Sequence, residues 1–207
     1  MKICFIQKGA FPYFGVIELS GFLKAKGHEA TVLIDDLEED LLAAIESTQA
    51  DLLGISCMST ETGWLEKTAT EIRQRFPSAP LAVGGVHAML YPEMVMSIAA
   101  VDYVCTGDGE MNLMQLFEAI AGKRATDTVP GIGYRTPGGQ IAFTPRAPLY
   151  QTLDGSLADR DIYYERYPQL GRDELKQFSG SRGCPFACAF CFNSQLRRIA
   201  QGLGAYV

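Results

Sequence analysis

Along residues 1–125 one rhythm recurs: a short apolar run, a turn, then a stretch with apolar residues at helical spacing. The runs are KICFIQ (2–7), EATVLI (29–34), DLLGIS (51–56), LAVGG (81–85) and VDYVCTG (101–107). They are rich in Val, Ile and Leu and are continuous rather than alternating. A strand with one wet face would alternate, so continuous runs predict strands buried on both faces of a parallel sheet. Between the runs, Val16, Leu19, Phe22 and Leu23 fall on one helical face, as do Leu37, Leu41, Leu42 and Ile45. Trp64, Leu65, Thr68, Ala69, Ile72 and Phe76 form a third stripe, and Leu113, Leu116, Phe117 and Ile120 a fourth. Strands alternating with helices predict an α/β fold: a doubly wound, Rossmann-like or flavodoxin-like parallel five-stranded sheet.

The rhythm breaks near Thr126. GIGYR (131–135), a PGG turn and QIAFT (140–144) read as a β-hairpin. The stretch from 146 to 174 carries Pro, Asp, Arg and Tyr without a clear period and reads as a linker. LKQFSGSRG (175–183) then reads as one more strand, running into a cysteine-rich loop. The expected organisation is an α/β domain over 1–125, a hairpin extension over 126–145, a linker over 146–174 and a separate terminal piece over 175–207.

In a doubly wound sheet, ligands bind at the carboxyl ends of the strands. The residues expected there are Ser56 and Met58 after the third strand, Gly84, Gly85 and His87 after the fourth, and Gly107 and Gly109 after the fifth. Glycines allow a backbone to approach a bulky ligand closely. Gly107 and Gly109 also precede a helix start, where free N–H groups favour an anion or polar tail. A serine hydroxyl beside them can bond a buried polar group. His28, in KGHEA, falls at the opposite edge of the sheet and reads as a turn residue. The acidic run Asp35, Asp36, Glu38, Glu39, Asp40 reads as favourable charge at the start of a helix.

Composition narrows the possibilities. The 207 residues are 47% apolar and 20% charged, with a formal charge of −6. An acidic chain is a poor match for nucleic acid, so no nucleic-acid partner is expected. No apolar stretch approaches membrane-spanning length, and MKICFIQKGA is too short and too soon interrupted to be a signal peptide. Six cysteines without a secretory signal point to a reducing compartment, the cytoplasm. No Ser-His-Asp or paired-carboxylate arrangement stands out, so no side chain is assigned a catalytic role.

Three of those cysteines lie in SGSRGCPFACAFC, as Cys184, Cys188 and Cys191 in a C-x-x-x-C-x-x-C pattern. Structural zinc wants four ligands, yet the two histidines, His28 and His87, are far upstream and no fourth cysteine is near. Pro185 with its Gly and Ser neighbours argues for a loop rather than a core. Three thiolates without a fourth suit a 4Fe–4S cluster that leaves one iron open.

SRGCPFACAFC resembles the cluster loop of the radical S-adenosylmethionine (SAM) superfamily, including Phe190 before the last cysteine. The front half resembles the cobalamin-binding domain that precedes the barrel in one large subgroup. The features that carry this are Ser56-x-Met58, GGVHA (84–88), VDYVCTGDGE (101–110) and the connecting piece LDGSLADRDIYYERYP (153–168). The resemblance implies that Cys184, Cys188 and Cys191 ligate the cluster, that SAM chelates the open iron, and that Phe190 lies near the adenine. It implies cleavage of SAM to a 5′-deoxyadenosyl radical. It also implies a corrin whose nucleotide tail enters a slot opened by Gly84 and Gly85. His87 would contact the tail or ring edge, or cap its loop. The first loop, QKGAFPYFGV, lacks the cobalt-ligating histidine of many cobalamin domains, as is common in this subgroup.

The resemblance implies a cobalamin-dependent radical SAM enzyme acting on a small-molecule substrate with an external electron donor, by methyl transfer to an unactivated carbon or by ring formation. A full β/α barrel takes about 250 residues, and only the first strand of one is expected here, so the chain is expected to be a fragment of that parent. Two alternatives stand beside it. One is a cobalamin-binding module without turnover. The other is a relative of the tRNA methylthiotransferases, with Cys4, Cys57 and Cys105 as a second cluster site. Against the latter, Cys4 lies near the start of its strand and the charge is acidic.

Overall fold

The computed structural model describes residues 1–150 and 158–204, so residues 151–157 of the expected linker lie outside the described residues. The five expected strands form as β1 (Lys2–Gln7), β2 (Glu29–Ile34), β3 (Leu52–Ser56), β4 (Leu81–Gly84) and β5 (Tyr103–Cys105). They alternate with α1 (Phe14–Ala25), α2 (Leu41–Thr48), α3 (Thr62–Arg75), the short α4 (Val86–Leu90) and α5 (Pro92–Ser97), and α6 (Gly109–Ile120). The parallel order is β2-β1-β3-β4-β5. That is the flavodoxin-like order, whose switch point lies between β1 and β3.

Burial on both faces explains the continuous apolar runs. Ile3 and Phe5 of β1 join Val32, Ile34 and Leu52 beneath α1 and α6. Cys4 and Ile6 point the other way, joining Leu33, Leu53, Ile55, Leu81 and Val83 beneath α2 and α3. Each such side chain removed from water contributes roughly 1.5–3 kcal/mol, so a sheet packed on both sides gains from every position rather than every second one.

The hairpin forms as β6 (Ile132–Arg135) and β7 (Ile141–Phe143). It is part of the sheet: β6 pairs antiparallel with β5, giving a seven-stranded sheet. Arg135 fixes this addition, its guanidinium donating to the carbonyls of Met96, Ile98 and Val101.

Two expectations are corrected. First, the acidic run does not open a helix as a block. Asp35–Leu37 is a 3-10 turn, Asp35 accepts the indole N–H of Trp64 at 2.6 Å, and Asp40 alone caps α2, accepting from the Ala43 N–H at 3.0 Å. Second, residues 175–183 form no strand, since among the described residues no strand lies beside them to complete a ladder.

The described part of the linker reading is not a free connection. It holds α7 (Asp161–Tyr164) and α8 (Pro168–Arg172). Tyr163 is fully buried in the α1/α6-side core. Its hydroxyl accepts from the Tyr13 N–H at 3.1 Å and donates to the Gln7 side-chain oxygen. Tyr167 follows one helical turn later, accepting from the Ile34 N–H at 2.8 Å and donating to Glu38. An irregular arm, residues 173–191, then leads through the cysteine loop into α9 (Phe192–Ile199). No described helix is long and apolar enough to cross a membrane.

Candidate functional site

A cavity of about 470 Å³ opens at the carboxyl ends of the strands, within the roughly 300–1,000 Å³ typical of small-molecule sites. Its floor is Gly54 and Ala82. Its walls are the four loops after β1, β3, β4 and β5. These loops supply Ser56 and Met58, Gly84 and Gly85, and Gly107 and Gly109, which the structure therefore brings together as the sequence predicts.

The two adjacent glycines do different jobs. A Cβ built on Gly84 would meet nothing within 4 Å, so hydrogen in place of a side chain there leaves space in the cavity wall. Gly85 has φ +91°, and a Cβ on it would sit 2.8 Å from the Cys57 carbonyl oxygen and 2.9 Å from its nitrogen. Gly85 thus lets β4 turn tightly against the β3 loop.

That β3 loop is held from below. The Glu61 carboxylate, almost fully buried, accepts from the Met58 N–H at 2.9 Å and from the Tyr13 hydroxyl at 3.0 Å. Burial, then the Glu61 charge and hydrogen bond, push the Tyr13 hydroxyl well above its ordinary pKa. It stays a protonated donor that ties the β1 loop to the β3 loop. Gln7 supports the same wall, donating to the carbonyls of Gly9 and Phe11, each at 2.7 Å.

Other predicted residues lie elsewhere. His87 is buried in α4 and is not among the cavity-lining residues. Its Nδ1 lies 3.2 Å from the Ser59 hydroxyl, its ring packs on Tyr91, and burial lowers its pKa. That is the loop-capping role. His28 sits before β2 against Phe117, 3.3 Å from the N-terminal amine, at the far edge. Phe190 is 94% exposed. Cys188 is exposed, and Cys184 and Cys191 are half-buried. Among the described residues no three His, Cys, Asp or Glu side chains converge as metal ligands. The three thiols supply a suitable donor set, but the loop here does not gather them.

Sequence reasoning missed the cavity's charged wall. Glu18 from α1, Asp108 and Glu110 at the start of α6, and Arg182 and Gln177 from the arm all line it. A signal was available: Glu18 in VIELSGF and Glu110 in GEMNLMQLF are the single charged residues of mostly apolar helix stretches.

The B12 binding domain family matches residues 8–117, the part of the chain that builds four of the cavity's walls. The anaerobic magnesium-protoporphyrin IX monomethyl ester cyclase of Rubrivivax gelatinosus is 30% identical over 196 residues, covering 88% of this chain and 35% of that protein. The solved structure of the cobalamin-dependent SAM radical enzyme OxsB with aqua-cobalamin and SAM bound superposes with a TM-score of 0.75 at 17% identity, covering 92% of this chain and 28% of that one. The radical SAM methyltransferase TsrM of Kitasatospora setae, with tryptophan and a SAM analogue bound, gives a TM-score of 0.69 at 22% identity, covering 93% and 41%. The chain thus spans less than half the length of these relatives, and the two structures share its fold.

Proposed function

The chain belongs to the B12 binding domain family, and from that premise we infer that its cavity takes the nucleotide tail of cobalamin, with the corrin ring across the mouth. The observation that carries this reading is the open Cβ position of Gly84 in a cavity walled by four strand-end loops. At about 470 Å³ the cavity suits a nucleotide-sized arm rather than a whole corrin. Ser56 and the N–H groups at the start of α6 offer polar partners for the tail. Gly85, Gly107 and Gly109 keep the backbone close, and Met58 supplies apolar contact beside the tail. His87 stays a structural cap, and no protein ligand to cobalt is assigned.

The whole-protein reading goes further. The radical SAM resemblance of the cysteine loop and the company of relatives support a cobalamin-dependent radical SAM enzyme, a methyltransferase or cyclase acting on a small molecule with an external electron donor. Cys184, Cys188 and Cys191 would hold a 4Fe–4S cluster, with Phe190 near SAM. The support there is the thiolate donor set and its spacing. No mechanistic step is assigned to the loop, because its thiols do not converge here.

The test is an anaerobic absorbance titration with hydroxocobalamin. The expected result is a saturable spectral shift in the unmodified chain and its loss in Gly84→Leu, whose melting temperature should change little because a Cβ at this position meets nothing within 4 Å. A chain that gives no shift at any accessible concentration, or a Gly84→Leu variant that binds equally well, would overturn the assignment.

A further inference from the structure

We propose that Arg182 is a positioning residue that docks the cysteine loop on the rim of the cavity, its guanidinium seated among Glu18, Asp108 and Glu110. Arg182 lies two residues before Cys184. Its Nη2 donates to Glu18 Oε2 at 2.5 Å and to Glu110, and its Nη1 lies 3.9 Å from Asp108 Oδ2. The side chain is 19% exposed and that of Glu110 only 4%. The guanidinium also sits over the Tyr150 ring at 5.7 Å, and the Tyr150 N–H donates to Asp108 at 2.9 Å.

The three carboxylates come from two neighbouring helices that line the cavity: Glu18 from α1, and Asp108 and Glu110 from the start of α6. The helix dipole of α6 favours its two acids but does not supply hydrogen bonds to all their oxygens. With the arm withdrawn, three like charges would face one low-dielectric wall, and the nearly buried Glu110 would lose its ion partner. With the arm docked, one guanidinium reaches all three. Burial alone would lower the Arg182 pKa. The Glu110 hydrogen bond and the charges of Glu110, Glu18 and Asp108 outweigh it, so the cation persists.

At the near end of the arm the Lys176 ammonium donates to the carbonyls of Leu170 and Gly171. Leu175, Phe178 and Phe186 are exposed. Arg160 donates to the Gln177 carbonyl and stacks on Phe178 at 4.6 Å, which holds the arm's near end along the surface. Arg182 is the residue that turns the arm inward just ahead of the first cysteine. The position of Cys184 is thereby set from the same α1 and α6 residues that wall the cavity. On the cobalamin reading, this places the cysteine loop and the bound corrin in one frame.

The chain's single tryptophan, Trp64 in α3, is a built-in donor for the test. With Cys184→Ser and Cys191→Ser, the exposed Cys188 takes an aminonaphthalene label, and time-resolved energy transfer from Trp64 gives the distance distribution of the loop. The expected result is a narrow distribution in the otherwise unmodified chain and a broad one in Arg182→Met, with a docked-to-undocked ratio lower by about tenfold or more. Arg182→Lys, which keeps the charge but not the fork, should narrow it again in part. Glu18→Gln removes the most exposed of the three acids and should broaden it without the folding risk of touching Glu110. A distribution equally narrow with and without Arg182, or already broad in the parent, would overturn the proposal. The measurement needs no ligand, so a failed hydroxocobalamin titration would sink the cobalamin reading and leave this result standing.

Discussion

The sheet and the cysteine arm carry the same residue in opposite states. Cys4, Cys57 and Cys105 lie buried among the strands. Burial pushes each thiol up to about 12, helped at Cys57 by the charge of Glu61. Such thiols stay protonated near neutral pH and act as small apolar groups. Cys105 packs on the α1/α6 face of the sheet and Cys4 and Cys57 on the other, so the three do not converge on one point. Cys184, Cys188 and Cys191 reach solvent on a segment without ladder bonds. The difference lies in how position is specified. In the sheet, hydrogen-bonded neighbours and two packed faces fix every residue. In the arm, a few long cationic side chains do so: Lys176, Arg160 and Arg182.

The contrast places the segment around Tyr163 with the sheet, and this is where it is easiest to break. Tyr163→Ala should cost about 3–5 kcal/mol in urea unfolding, as for other large buried aromatics. A change within about 0.5 kcal/mol, the range of surface substitutions, would return the segment to linker status. Thiol labelling sharpens the contrast from the other side. In the native chain three of the six cysteines, those of the arm, should alkylate quickly, and the other three only after unfolding. Fast reaction at Cys57 would mean that the cavity wall after β3 opens.

The smallest expected effect concerns the tie between Tyr167 and the sheet edge. The Arg166 hydrogen bond lowers the Glu38 carboxyl below its ordinary 4.5, against an opposing push from partial burial and with further help from Tyr167. A lowered folded-state pKa means stability that is present above pH 4.5 and lost as the pH falls through the folded value. Glu38→Gln should therefore be less stable at neutral pH and show a flatter loss of stability on acidification.

What could be read in advance follows the same division. The strands were legible because two-faced burial writes itself as a continuous apolar run, and β1 and β2 begin and end where their runs do. The hairpin was legible from its turn, but its union with β5 was not, since pairing partners are set by contacts distant in sequence. Tyr163 lies on a four-residue helix and Tyr167 just before a five-residue one, elements too short to show a period. The apolar residues of LKQFSGSRG suggested a strand, but a strand needs a neighbour as well as a composition. In the site, the glycines, Ser56 and Met58 followed from the strand-end rule. Glu18 and Arg182 did not, because their ion pair joins positions 164 residues apart.

The hydroxyl of Tyr163 has a consequence for how the chain is made. β1 leaves the ribosome before the other strands of its sheet and belongs in the sheet's interior, yet the buried oxygen of Gln7 finds its donor 156 residues later. At about 5–20 residues per second, that wait lasts roughly 8–30 s. Throughout it the nascent sheet carries a polar group prepared for burial with nothing to bond to but water. The strand that starts the fold is thus among the last to be finished. A codon-level pause between β5 and Tyr163 would prolong the interval in which chaperones, rather than the fold itself, guard that face.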